Sequence, residues 1–285
     1  MLLIADGGST KTRWCLLDKM ENETLFETEG YHPFFIDSKY ISESLNNSLD
    51  KDMKEKAGEV KDIFFYSTGG GYSHKTDLVL VNGLAHIFPI ANIHIETDLL
   101  AAARSLLGER KGFAAILGTG TNTCIYDGNN VVKNIESLGF LLGDEGSGSY
   151  IGKKIIGDYI REVMPENVRD LFFNTFQLTP VELLNKVYEH PVSNRYCASF
   201  TRFVKEHMGK SPYYHNLVQE SFRDFFQNIV TRYDNYKAYS FYCVGSIAYY
   251  FKEILEKVIS EYGMKVGNIE REPMKGLIAY HQKSK

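Results

Sequence analysis

The chain has 285 residues, near the size at which a single core stops growing and a chain divides, so two medium domains are the starting expectation. Charge is close to balanced, with 32 Lys and Arg against 36 Asp and Glu (12 against 17 up to Gly112, 20 against 19 beyond it), so neither part is a basic nucleic-acid platform. A hydrophobic fraction of 44% with 19 Tyr, 18 Phe and one Trp excludes disorder as the main state.

In chain order, the apolar run Leu2 to Ala5 has no basic flank and is not a secretory segment. It ends in Asp6-Gly7-Gly8-Ser9-Thr10, and Arg13 to Leu17 returns from that turn, which is a hairpin signal. Ser42, Leu45 and Leu49 suggest a helix. Ile63 to Tyr66 then leads into Ser67 and the triplet Gly69-Gly70-Gly71, and Ile93 to Ile95 leads into Thr97-Asp98 before a helix, Leu99 to Leu107, that Gly108 stops. After Gly112 the pattern restarts: Phe113 to Leu117, a turn at Gly118-Thr119-Gly120-Thr121-Asn122, and a return strand, Thr123 to Tyr126. The same strand, glycine turn and strand thus occurs twice, which points to internal duplication and a boundary near Gly112. Tyr150 to Val163 reads as a helix ending before Pro165, apolar residues from Val218 to Tyr233 keep the helical period, and Tyr239 to Val244 precedes Gly245-Ser246 and a helical run from Ile247 to Ile259. The rings between Tyr213 and Phe251 follow a core face and read as packing, and the histidines form no constellation. Nothing approaches the roughly 20 apolar residues of a membrane span. The isolated Cys15, Cys124, Cys197 and Cys243 show no zinc spacing, so a reduced, cytoplasmic α/β protein is expected.

Three elements carry candidate chemistry. Glycine turns expose backbone amides that can cradle phosphate, and Ser9, Thr10 and Lys11 add hydroxyls and an ammonium to the first. Neither turn is a Walker A or a dinucleotide-binding loop, and one alone would be an ordinary hairpin, but two heading similar lobes suggest a phosphate clamp. Asp98 stands where a strand becomes a helix, a position that suits a helix cap and a catalyst alike. Asp144-Glu145, set among Gly143, Gly146 and Gly148, also precedes a helix; the glycines favour a substrate or metal loop over a simple response to the helix dipole.

Taken together, Asp6 to Thr12, Thr97-Asp98, Leu117 to Asn122, Leu142-Gly-Asp-Glu-Gly-Ser147 and Val244 to Ser246 resemble the N-acetylglucosamine kinase group of the BadF/BadG/BcrA/BcrD ATPase family, in the actin, hexokinase and heat-shock ATPase superfamily. The resemblance implies two ribonuclease-H-like lobes, 1–112 and 113–285, with a nucleotide cleft between them and the final residues able to pack back toward the hinge. It implies ATP and Mg²⁺, with Asp6 holding the metal through water, and Gly7, Gly8, Ser9, Thr10 and Lys11 facing Gly118, Thr119, Gly120 and Thr121 across the phosphates. Asp98 becomes the base for a sugar 6-hydroxyl; Asn122, Asp144 and Glu145 join the sugar site, and Gly245-Ser246 lie against the adenosine. Two positions depart from the family: His32 stands where Asn commonly contacts the sugar, and Leu138, before Gly139, replaces an aromatic. Both bear on which sugar is bound. The implied partners are a sugar and ATP, without nucleic acid or membrane, and a homodimer is left open. Two rivals stand beside the kinase: an ATPase activator that bridges a [4Fe–4S] cluster between subunits, which needs thiolates from each, and a sugar or nucleotide sensor without catalysis.

Overall fold

A computed structural model describes residues 1–8 and 11–283, so Ser9, Thr10, Ser284 and Lys285 lie outside it. It divides into two compact units: Met1–Glu109 with Gly128–Asn130 and the segment from Pro273 onward, and Arg110–Asp127 with Val131–Glu272.

In the first unit, Leu2–Gly7 (β1), Lys11–Leu17 (β2) and Glu23–Glu29 (β3) form an antiparallel meander. The helices Ser38–Ser48 (α1) and Lys51–Lys56 (α2) follow, then Asp62–Ser67 (β4), His74–Ala85 (α3), Asn92–Thr97 (β5) and Asp98–Leu107 (α4). The sheet order is β3-β2-β1-β4-β5, with β1, β4 and β5 parallel. Strand alternation sorts the two faces. Leu3, Ala5, Trp14, Leu16, Ile63 and Phe65 are buried together with Ile41 and Leu45 of α1 and Leu80 and Leu84 of α3. Asp37 and Ser73 cap these two helices through their side chains, accepting from Tyr40 and Thr76 amides.

The second unit repeats this plan. Gly112–Leu117 (β6), Thr121–Tyr126 (β7) and Val131–Asn134 (β8) form the meander. A run of helices follows: Gly139–Leu142 (α5), Gly148–Ile160 (α6), Glu166–Phe176 (α7), Pro180–Glu189 (α8), Ser193–Glu206 (α9) and Pro212–Asn228 (α10). Then come Ser240–Val244 (β9), Ser246–Tyr250 (α11), Lys252–Glu261 (α12) and Lys265–Glu270 (β10). The sheet order is β10-β9-β6-β7-β8, with β6, β9 and β10 parallel, so strand for strand the two sheets share one topology. The six helices from α5 to α10 enter where the first unit has only α1 and α2. Their aromatic residues form the core as expected: Phe226 stacks on Phe241 at 5.3 Å, and Phe172 stacks on Phe200 at 5.7 Å.

Two periodic runs are shorter than their sequence pattern. The run to Tyr233 leaves the α-helix after Asn228 for a 3₁₀ turn, Val230–Arg232, because Tyr233 turns inward to share a hydroxyl bond with Thr123 at 2.8 Å. The run from Ile247 to Ile259 is two helices, broken at Phe251, whose backbone (φ −112°, ψ 27°) leaves the helical region. The last helix, Met274–Lys283 (α13), belongs to the first unit and packs on α4. One histidine has a definite structural partner there. Burial and the Arg104 charge push His281 down to about 4, so its neutral ring accepts the Tyr66 hydroxyl proton at 2.9 Å while Arg104 donates to the Tyr66 oxygen at 2.9 Å.

Two glycines on α6 separate packing from propensity. A Cβ on Gly152 would lie 1.9 Å from the Cys197 carbonyl of α9, whereas one on Gly157 meets nothing nearer than an Arg161 guanidinium nitrogen at 3.6 Å. Gly152→Ala is therefore expected to lose about 1–3 kcal/mol or more of stability as α9 is forced off α6, and Gly157→Ala to gain about 0.5–1 kcal/mol from helix propensity. Urea unfolding of the two variants checks this; equal effects would contradict the packing described.

Candidate functional site

Parallel strands present their C-terminal ends along one edge, where α/β proteins place chemistry. In the first unit, Gly7, Ser67 and Thr97 are in register at that edge. Asp6 is half-buried at the end of β1. Gly7 follows because a Cβ there would lie 2.9 Å from the Phe65 ring, and the Gly8 amide closes the turn on the Lys11 carbonyl at 3.0 Å. The expected phosphate ligands Ser9 and Thr10 lie outside the described residues. Lys11 lies on β2 with its ammonium on Glu27 at 2.7 Å, and Arg13 shares that carboxylate at 3.0 Å. The Lys11 charge is thus answered on the sheet, by an exposed and hence weak pair, rather than held over the turn.

Asp98 is the first residue of α4, not its cap. Thr97 caps the helix, its hydroxyl accepting the Leu100 amide at 3.1 Å. The Asp98 carboxylate instead accepts the Thr68 hydroxyl at 3.0 Å through Oδ2. Burial pushes its pKa up, and the Thr68 hydroxyl and the Leu99 and Asp98 amides draw it back down. His32 comes to the same edge: a Cβ on Gly69, whose φ is +85°, would lie 3.0 Å from His32 Cε1. Its ring lies 4.8 Å from that of Phe35 and 5.7 Å from that of Phe34, both exposed. β1, β4 and β5 therefore gather Asp6, Gly7, Asp98 and His32. Thr68 was missed from sequence, although the adjacent glycine triplet marked its loop.

In the second unit the glycine turn docks on the start of α6. Gly148 and Ser149 amides donate to the Gly118 and Thr119 carbonyls at 2.8 and 3.0 Å, and the Gly118 amide bonds Gly120 at 3.0 Å. The amides of Thr119 and Gly120 meet no acceptor among the described residues, which is the donor pair an anion requires. Asp144, buried at φ +60°, lies beneath: Oδ1 accepts the Thr121 amide at 3.0 Å, and a Cβ on Gly120 would sit 3.1 Å from Oδ2. Burial raises the pKa of Asp144, and the Thr121 amide and the Lys153 charge oppose it. Gly245, φ +132°, passes so close that a Cβ would lie 2.2 Å from the Leu117 carbonyl, which places Ser246, the first residue of α11, beside the turn.

The remaining residues are placed less directly. Asn122 belongs to β7 rather than the turn, and its Oδ1 is used by the Thr123 amide and Asn134 Nδ2 at 3.0 and 2.8 Å. Glu145 Oε1 accepts Asn228 Nδ2 at 2.9 Å. Leu138 (φ +59°) and Gly139 (φ +64°) open α5, and Leu138 is 63% exposed. Lys153, also missed from sequence, donates to the Phe140 and Gly143 carbonyls and so holds that loop against α6.

No group of three His, Cys, Asp or Glu that could hold a metal occurs among the described residues. One carboxylate beside an amide turn nevertheless fits Mg²⁺, which keeps most of its waters and binds chiefly through nucleotide phosphates. All four cysteines are buried, so none offers a surface thiolate to a cluster shared between subunits. No helix is long and apolar enough to cross a membrane among the described residues.

The BadF/BadG/BcrA/BcrD ATPase family matches residues 5–279. No curated protein matches the chain. Among solved structures, a candidate N-acetylglucosamine kinase from Porphyromonas gingivalis is 36% identical with a TM-score of 0.92, over 99% of each chain. Another from Chromobacterium violaceum is 15% identical with a TM-score of 0.70, over 98% of each. The ROK family glucokinase of Streptomyces griseus, solved with glucose and AMPPNP, is 13% identical with a TM-score of 0.56, over 99% of this chain and 98% of that one. The two like-ordered sheets and these matches lead to one conclusion: the chain belongs to the BadF/BadG/BcrA/BcrD ATPase family and has the two-lobed α/β fold of the sugar kinases and actin-like ATPases.

Proposed function

We propose that the protein is an ATP-dependent kinase that phosphorylates the 6-hydroxyl of an amino sugar, N-acetylglucosamine first among the candidates. The observation that carries this reading is Asp98: a carboxylate at the strand edge, held through Oδ2 by Thr68 and raised in pKa by burial, two strands from the Asp6-Gly7 turn and so roughly 10 Å from it. Such a group is a candidate general base, its burial raising its affinity for a proton above that of an ordinary carboxylate. The similarity to the Porphyromonas gingivalis protein supports the choice of sugar.

In this mechanism Asp98 Oδ1, the oxygen not bound by Thr68, takes the proton of the sugar 6-hydroxyl. The sugar 6-oxygen then attacks the γ-phosphorus, and the bond from phosphorus to the ADP oxygen breaks. Phosphoryl transfer depends on positioning and charge neutralisation. The Thr119 and Gly120 amides with Thr121, and the Gly7, Gly8, Ser9 and Thr10 segment, take the phosphates. Gly245 and Ser246 take the adenosine. Asp6 would hold Mg²⁺ through water, and the ion would neutralise phosphate charge. Asn122 Nδ2, Asp144 and Glu145 bind sugar hydroxyls, while His32, Leu138 and Gly139 bear on which sugar is bound. A cytoplasmic setting, where ATP is abundant, suits this reaction.

Mg²⁺-dependent ADP release should be stimulated by N-acetylglucosamine in a screen against glucosamine, N-acetylmuramic acid and glucose. Asp98→Asn should lower kcat by about a hundredfold or more; turnover equal to that of the unchanged enzyme would remove Asp98 from the chemistry.

The same carboxylate has a stability signature. A pKa raised on folding means the charged form is disfavoured in the folded state, so stability is lost as pH rises through the folded pKa and recovered at acid pH. Asp98→Asn is therefore expected to melt at a higher temperature than the unchanged protein at pH 7–8, with the difference closing toward pH 4. Melting curves across that range test it, and a variant less stable at every pH would contradict it.

A further inference from the structure

The loop Thr68 to Gly71 touches the candidate site at Gly7, His32, Thr97 and Asp98. The Thr68 amide donates to the Gly7 carbonyl at 3.0 Å, which ties the loop to the first glycine turn. Gly69 backs the His32 ring, and a Cβ on Gly71, φ +75°, would lie 3.0 Å from the Thr97 amide nitrogen, immediately before Asp98. A Cβ on Gly70 would lie 3.0 Å from Ile95 Cγ2 on the same strand. Successive glycines are needed because β5 and His32 are reached at backbone distance.

The loop closes without the Thr68 hydroxyl. Gly70 donates to the Ser67 carbonyl at 3.2 Å, Gly71 donates to Asp77 Oδ1 at 2.8 Å, and Ser67 Oγ donates to the Thr68 carbonyl at 3.2 Å. The Thr68 hydroxyl is left to donate to Asp98. Thr97, the nearer hydroxyl in sequence, is committed to capping α4. A β-branched side chain also holds its χ1 more firmly than serine.

We propose that Thr68 is a positioning residue for Asp98, and that the Thr68–Gly71 loop sets the direction of the carboxylate by bracing Thr68 between the glycine turn of β1 and the end of β5. This rests on Asp98 as the base. Holding Oδ2 turns Oδ1 toward the acceptor, and Thr68 fixes the carboxylate together with the Leu99 and Asp98 amides of its own first turn. The charged neighbours on the flanking elements are engaged elsewhere: Glu96 of β5 with Arg104 of α4 at 3.7 Å, and Asp77 of α3 with the Gly71 amide. Burial, the Thr68 hydroxyl and the Asp98 and Leu99 amides therefore govern the proton affinity of this carboxyl.

The test compares Thr68→Val, which keeps the shape and removes the donor, with Thr68→Ser, which restores it. Expected for Thr68→Val are a kcat lower by about tenfold or more, a KM for sugar within about twofold, and an acidic limb of kcat/KM moved to higher pH, because a carboxylate that loses a donor holds its proton more tightly. Thr68→Ser should return both readouts toward the starting values. Carbon-13 NMR titration of aspartate-labelled protein, with the Asp98 signal assigned from Asp98→Asn, reads the same shift without turnover. An unmoved Asp98 titration in Thr68→Val overturns the positioning role even if activity falls. A moved titration in a protein with no sugar-stimulated turnover upholds the positioning role and sinks the kinase reading instead.

Discussion

The parallel register of β1, β4 and β5 is the constraint from which the candidate site follows. Hydrogen bonding sets Gly7 beside Ser67 and Ser67 beside Thr97, so three strands end level and three loops leave from one edge. The glycine turn, the Thr68 hydroxyl and Asp98 are thereby neighbours although they lie up to 91 positions apart in the chain. The second sheet obeys the same rule. Ile116 and Glu270 both pair with Val244, and Gly245 emerges against the Leu117 carbonyl, where no side chain would fit.

Each unit also places one carboxylate where burial disfavours its charge and nearby donors oppose that cost, the Thr68 hydroxyl foremost for Asp98 and the Thr121 amide foremost for Asp144. Charge held this way is costly and directional. The backbone around the second is strained as well, with Leu138 and Asp144 both in the left-handed region and their loop secured by Lys153. Strain of this kind persists where the surrounding structure over-determines it, and it concentrates at functional sites. The buried Tyr66, His281 and Arg104 network has a different part, since it ties the last helix to the first unit behind the strand edge through a neutral imidazole on one side of the Tyr66 hydroxyl and a guanidinium on the other.

Much of the fold was legible. Both hairpins, the repeated glycine turn, the strands ending at Ser67 and Thr97, and the aromatic core of α10 all carry strong local periodicity. The less regular parts were not. β3 is mostly exposed and reads as a polar segment, with Phe26 and Thr28 its less exposed positions. β10 contains Gly267 and has a register shift, and α13 is a short helix whose buried face has three apolar residues, Met274, Leu277 and Ile278, and is completed by His281. Phe251 looks helical in sequence and interrupts the helix because it is buried against the second core. For the site, Asp98 and Asp144 could be picked out as acids beside helices and glycines. That Lys11 answers Glu27 and that Asn122 gives its acceptor to Asn134 could not, since each depends on a partner brought from another strand, whereas Thr97 and Asp98 are adjacent residues that both suit a cap and only the backbone geometry shows that Thr97 takes the Leu100 amide.

The sequence alone therefore determined the strands with strong apolar runs and the turns rich in glycine, because those properties depend on residues a few positions apart. It also determined the family, because the motifs recur in a fixed order. Only the tertiary structure decided which donor each carboxylate receives, which cation is already paired, and that the Thr68 hydroxyl, just before the glycine triplet, reaches Asp98. Those are contacts between elements distant in the chain, created when strands pair in register and glycines let backbones meet at van der Waals distance.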